Sequence, residues 1–169
     1  MPDVFPISLI FFFGAALLLL LPKGHLRAAL LLIVPILAGT MLWNLPAGNL
    51  WAATIMGFDL EFMRVDKLSR LFGLIFCVAA FLGNLYAWHV RDTIQQVAAL
   101  LYAGSAIGAV FAGDLISLFF YWEGTAIASV FLIWARRTEG AYHTGMRYLI
   151  VQIASGVILL AGAAVFYGE

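Results

Sequence analysis

The chain has 169 residues, 64% of them hydrophobic and 11% charged, with a mean hydropathy of +1.03. Soluble domains run at roughly 45–50% apolar and about 25% charged, so these numbers exclude a water-soluble fold, disorder, collagen, coiled coil and a small disulfide scaffold, and indicate an integral membrane protein. Nine Lys and Arg balance nine Asp and Glu, which leaves no basic field to attract nucleic acid.

Six apolar stretches are candidates to cross a bilayer core of about 30 Å, which takes ~20 helical residues. They are 4–21, 26–43, 68–88, 93–112, 115–134 and 146–167. Apolar residues run continuously instead of alternating, which excludes a membrane β-barrel. The expected fold is all-α, a polytopic bundle in a single membrane domain over 1–169, with a short outer strand or hairpin element.

The first span follows Met1-Pro2-Asp3, and the positive residues Lys23 and Arg27 come after it. A cleaved signal peptide has positive charge before its apolar core, so the span reads as a retained anchor with its N-terminus outside. The second span carries Pro35, a candidate kink. The loop 44–67 opens with the turn residues Asn44, Pro46, Gly48 and Asn49. Phe58-Asp59-Leu60-Glu61-Phe62 then alternates apolar and polar, the signal of a short strand and a candidate half of a hairpin. Asp66 is placed to cap the third span. That span holds Cys77, the single cysteine, which can form no intrachain disulfide and reads as a packing residue. Gly113-Asp114 is nearly a bare turn between the fourth and fifth spans, so the helices it joins are antiparallel neighbours. No internal repeat is visible.

With the N-terminus outside, Lys23, Arg27, Arg91, Arg136, Arg137 and Arg147 fall on the cytoplasmic side and Arg64, Lys67 and Arg70 on the outer side. This bias agrees with the positive-inside rule and returns Glu169 to the outside. Trp43, Trp88 and Trp134 stand at span ends, as an aromatic belt places them.

Glu123 is the one ionisable residue squarely inside a predicted span. It is the ninth residue of the fifth span, ~12 Å along the helix at about 1.5 Å per residue. An acidic residue at the membrane centre costs on the order of 2.5–3.5 kcal/mol on the insertion scale, which makes it a candidate proton carrier. A carboxyl in apolar surroundings favours its protonated form and a neighbouring cation favours the charged one, so a movable Lys or Arg nearby would act as a switch. The alternative is that Glu123 only hydrogen-bonds a neighbouring helix. Thr125, Ser129, Gln152 and Ser155 are candidates to line a wet path or to make ordinary contacts between helices. Gly124 with Ala128 and Gly104 with Gly108 form small-xxx-small pairs that let helices approach closely. Asp114 is a cap or a relay, and Arg147 is a topological charge or a lead for protons. His25, His89 and His143 lack the clustered spacing of a metal site. The chain contains no nucleotide loop, haem pair, zinc motif or nucleophile elbow, so no metal is expected.

From about residue 58 onward the chain resembles the antiporter-like subunits shared by Mrp-type sodium/proton antiporters, respiratory complex I and membrane-bound hydrogenases. Three segments carry the resemblance. They are Phe62-Met63-Arg64-Val65-Asp66-Lys67-Leu68-Ser69, Gly113-Asp114-Leu115-Ile116-Ser117-Leu118-Phe119-Phe120-Tyr121-Trp122-Glu123-Gly124, and Ala126-Ile127-Ala128-Ser129-Val130-Phe131-Leu132-Ile133. A basic loop and a sixth span opening Arg147-Tyr148-Leu149 follow. The first two spans match only in hydropathy, and the sequence looks most like the D-type branch of the Mrp antiporters.

The resemblance implies proton translocation, with or without sodium, through a fifth-helix glutamate that matches Glu123, coupled to a seventh-helix lysine. It implies an outer hairpin that ties neighbouring subunits together, cofactors held on other chains and none here, and other membrane subunits as partners. It implies a bacterial inner-membrane location. Family members are several times longer and contain two inverted repeats, with the ion site at the repeat interface. The expectation is therefore a chain truncated or split after helix six, with a second chain supplying the missing helices. Two further readings stand beside it: a membrane subunit of a redox-driven translocase of the NADH-quinone oxidoreductase or hydrogenase type, and a non-conducting assembly subunit.

Overall fold

The computed structural model describes residues 5–55 and 58–168. The Met1-Pro2-Asp3 lead, the start of the first span at Val4 and the terminal Glu169 lie outside those residues. The elements run α1 (Ile7–Leu20), α2 (His25–Asn44), β1 (Gly48–Ile55), β2 (Phe58–Val65), α3 (Lys67–Tyr86), α4 (Thr93–Phe111), α5 (Leu115–Trp134) and α6 (Glu139–Gly168). A single 3-10 turn, Ala87–His89, extends α3. The protein is a polytopic helical bundle with a short hairpin, and among the described residues five helices are long and apolar enough to cross a membrane.

Two helices differ in length from the predicted spans. The first span is a helix of 14 residues, shorter than the predicted 4–21. Pro6 stands at its N-cap and fixes where the regular bonds begin. The sixth helix starts at Glu139, seven residues before the predicted Met146, and runs for 30 residues. Thr138 Oγ1 accepts from the Ala141 N–H at 3.1 Å and caps this early start. The added turns carry Gly140, His143, Thr144 and Gly145, which a hydropathy reading takes for loop. At about 1.5 Å per residue α6 is ~45 Å long, so it rises well beyond a bilayer core.

The hairpin is complete where the sequence indicated one strand. Its register pairs Asn49 with Arg64, Trp51 with Met63 and Ala52 with Glu61. Leu50 of β1 and Phe62 of β2 are each passed over, two irregularities on opposite strands that shift the inward-facing set between the ends of the sheet. Leu50, Leu60, Met63 and Val65 are buried as a result. Asn49 Nδ2 donates to Glu61 Oε1 at 2.6 Å and Thr54 Oγ1 to Asp59 Oδ1 at 2.7 Å, tying the strands by side chains as well. Asp66 then caps α3 in a reciprocal box: the Ser69 N–H donates to Asp66 Oδ1 at 2.7 Å and the Asp66 N–H donates to Ser69 Oγ at 2.8 Å.

α4 is the central helix, packed against α1, α3, α5 and the hairpin. The core lies on one face of α1 (Ile7, Phe11, Ala15, Leu18) and of α2 (Leu31, Val34, Ala38, Leu42), meeting Leu100, Ile107 and Phe111 of α4. These are helical i, i+3, i+4 and i+7 spacings. Cys77 packs in the same core. The outer faces of α1, α2, α3, α5 and α6 leave Phe13, Leu20, Trp43, Tyr86, Ile158 and Val165 among many exposed apolar residues, the composition of a surface made for lipid or further membrane protein.

At the glycine pairs the close approach is made by side chains of neighbouring helices. A Cβ at Gly104 would meet Phe11 and Phe12 of α1, while one at Gly108 would overlap the Tyr121 ring of α5. Each glycine receives an aromatic side chain, and from different helices. At Gly124 a Cβ would stand 2.6 Å from Ser105 Oγ on α4.

Candidate functional site

Asp114 caps α5. Its carboxylate accepts from the Ile116 N–H at 2.9 Å, the Ser117 N–H at 2.8 Å and the Ser117 hydroxyl at 2.6 Å. It also accepts from the Glu61 N–H of β2 at 2.6 Å, and the Gly113 N–H returns a bond to Glu61 O at 2.8 Å. The Gly113-Asp114 turn is therefore clamped to the Glu61 backbone by two bonds, one from the Asp114 side chain and one from the Gly113 backbone. A Cβ at Gly113 would stand 2.6 Å from Glu61 Cβ, so this approach requires glycine.

With its N-terminus fixed, α5 places Glu123 two turns inward. One carboxyl oxygen, Oε1, is buried and has no hydrogen-bond partner among the described residues. The side chain crosses to α6 at Gly156, where a Cβ would overlap Oε1 and stand 2.8 Å from Cδ. The carboxyl thus lies against bare α6 backbone, with Phe119 Cε2 at 3.4 Å from the same point. A buried acceptor without a donor costs about 1–3 kcal/mol, and a group left in that state is suited to take up a proton or a cation. Gly156 is the residue of this arrangement that the sequence did not reveal. A glycine in an apolar helix gains meaning only from what faces it.

Gln152 is half-buried one turn before Gly156 on the face that packs on α5, along with Ala141, Gly145 and Ala163. The other candidates stand apart. Thr125 Oγ1 donates to Trp122 O and Ser129 Oγ to Thr125 O, each at 2.6 Å, so both hydroxyls bond their own helix. Ser155 and Arg147 are exposed, and Arg147 is ~13 Å along α6 from Gly156 at about 1.5 Å per residue. Asp114 is a similar distance along α5 from Glu123 and is occupied by the cap. His25, His89 and His143 are exposed, and no cluster of metal-ligating side chains occurs among the described residues.

Two polar contacts off the seam steady α5 and the end opposite the hairpin. Ser8 Oγ and Tyr121 Oη are 3.1 Å apart, joining α1 to α5. Arg27, read from sequence only as a topological charge, is buried. Its Nε and Nη2 donate to Leu21 O at 2.8 and 2.6 Å, and Nη1 to Thr93 Oγ1 at 2.7 Å.

The family model described as "NADH:quinone oxidoreductase/Mrp antiporter, TM" matches residues 112–169, the stretch holding Asp114, Glu123 and Gly156. The A1 chain of the Na(+)/H(+) antiporter of Staphylococcus haemolyticus is 32% identical over 114 residues, 63% of this chain and 14% of the relative. The corresponding A chain of Alkalihalophilus pseudofirmus is 29% identical over 111 residues, 61% of this chain and 14% of the relative. Both relatives are of the A type, where the sequence leaned to the D-type branch. The chain thus spans about a seventh of the length of these relatives. A solved chain of the membrane-bound sulfane sulfur reductase, an archaeal respiratory membrane complex, superposes with a TM-score of 0.83 at 21% identity, covering 96% of this chain and 27% of that one. Over residues 112–169 the chain is thus similar to the NADH:quinone oxidoreductase/Mrp antiporter family, and its fold matches that of a chain of a respiratory membrane complex.

Proposed function

We propose that this chain forms a single membrane domain of a proton-translocating, antiporter-like subunit, with Glu123 as the proton carrier. The supporting observation is the unpartnered, buried Oε1 of Glu123 in the middle of α5. An ionisable group there costs free energy, and a bundle built only to dock helices gains nothing from keeping it. Protonation removes the carboxylate charge from these apolar surroundings, and release restores a charge that a neighbouring cation can stabilise.

The partners are other membrane subunits of one complex, which contribute the rest of the path and cover the exposed apolar faces. The location is a bacterial inner membrane, with the hairpin and both termini on its outer side. That orientation agrees with the six-against-three cytoplasmic excess of Lys and Arg.

The test is Glu123→Gln in the native complex. Gln keeps the shape and removes the titrating proton. Transport is followed by a pH-sensitive dye in membrane vesicles, and assembly by co-purification of the complex. Loss of proton-coupled transport in an assembled complex supports the carrier role. Transport at the parent rate overturns it.

A further inference from the structure

We propose that Gly156 is a positioning residue for the Glu123 carboxyl: the side chain that α6 lacks at this point is the recess in which Oε1 rests. The inference rests on the carrier role of Glu123 and adds a second residue to it.

The glycines of α6 divide sharply by what they face. Gly140 and Gly162 have nothing within 4 Å of a Cβ position, so an alanine would fit at either. Gly145 and Gly156 each sit beneath an α5 side chain that a Cβ would overlap. At Gly145 the occupant is the Trp134 indole, whose Nε1 donates to Tyr142 O at 3.4 Å and whose ring stacks on Tyr142 at 5.8 Å. That recess holds a partnered aromatic anchor. At Gly156 the occupant is a carboxyl whose buried oxygen has no partner. Glycine inside a helix is less stable than alanine, and here the empty volume coincides with the carboxyl itself. Carbon and oxygen cannot share that space, so any side chain at 156 drives the carboxyl out of the α5–α6 seam. Gly156 acts by fixing where the carboxyl stands.

A size exchange in the complete complex tests this. Gly156→Ala fills the recess, and Glu123→Asp withdraws the carboxyl by one methylene. Each single variant is expected to lose about tenfold in proton-coupled transport with assembly retained, since misplacement by about 1 Å is enough for such losses. The double variant is expected to run at least about threefold faster than Gly156→Ala alone, because contacting residues couple. A residue that serves only helix packing gives no such rescue. Gly156→Ala at the parent rate, or a double variant no faster than Gly156→Ala, overturns the proposal. If Gly156→Ala fails to assemble, the exchange is read on recovery of the complex: a double variant that assembles supports the recess, and one that does not overturns it. Glu123→Gln is measured alongside. Full transport in that variant removes the carrier role and the recess with it, whereas loss there with parent-level Gly156→Ala removes the recess alone.

Discussion

Asn84 Nδ2 donates to the carbonyl oxygen of Leu31 at 2.9 Å, in the buried seam between α3 and α2. That carbonyl is the one Pro35 leaves without its helical donor, since a proline has no N–H to give four residues back. Asn84 thus replaces a missing backbone bond from a neighbouring helix, which lets α2 run unbroken over His25–Asn44 despite Pro35. Truncating Asn84 to Ala strands a buried acceptor, at an expected cost of about 1–3 kcal/mol. Pro35→Ala supplies the intrahelical donor, so in that background Asn84→Ala should cost clearly less. Denaturation of the purified protein in mild detergent measures both, and equal losses in the two backgrounds would refute the compensation.

Asp114 and Gly113 clamp the hairpin to the start of α5, and with it the depth at which Glu123 sits. Asp114→Ala removes the N-cap, worth about 0.5–2 kcal/mol, and also frees the Glu61 N–H of β2. Asp114→Asn retains one acceptor oxygen and is expected to lose less. The readout is hydrogen exchange at the Glu61 amide, which should accelerate in Asp114→Ala more than in Asp114→Asn. Unchanged exchange in both would show that the clamp contributes nothing.

The sequence carried most of the fold, because hydropathy reports burial in lipid directly. α5 lies at the predicted 115–134, and the Asp66 cap was legible from a carboxylate ahead of an apolar run. What escaped depends on partners distant along the chain. β1 showed no alternation because Leu50 alone is buried among its described residues. The first turns of α6 were hidden by Gly140, His143, Thr144 and Gly145. Glu123 stood out as a lone carboxyl in an apolar run, but Gly156, 33 residues later, is defined only by the packing of α5 on α6. Asn84 lies 53 residues from the carbonyl it satisfies; the orphan at Leu31 could be read from Pro35, its donor could not.

Asp66 predicts a pH response at the membrane edge. The Ser69 backbone N–H holds its carboxyl below the ordinary 3.8. A carboxyl lowered on folding contributes stability above its unfolded value and loses it as pH falls through the folded one. The parent should therefore exceed Asp66→Ala in Tm at neutral pH, and the gap should narrow only below 3.8. A gap that stays constant on acidification would assign the effect of Asp66 to something other than its charge.

Arg27 anchors the end opposite the hairpin. Its guanidinium meets the carbonyl that ends α1 and the first residue of α4, three donors on two helices. A cation at a helix C-terminus is favoured by the helix dipole, and only the planar fork spans both acceptors at once. Arg27→Lys keeps the charge that topology requires but cannot reproduce the fork, so it should lose about 1–3 kcal/mol while orientation in the membrane is retained. Thr93→Val removes one acceptor of the set and should lose about 1 kcal/mol. In the Arg27→Lys background Thr93→Val should add little, because the bond it deletes is already weakened. Denaturation in mild detergent gives the two energies, and accessibility of an engineered cysteine in the 21–24 loop gives the orientation. Arg27→Lys with parent stability would return Arg27 to the topological role that its place in the sequence suggests.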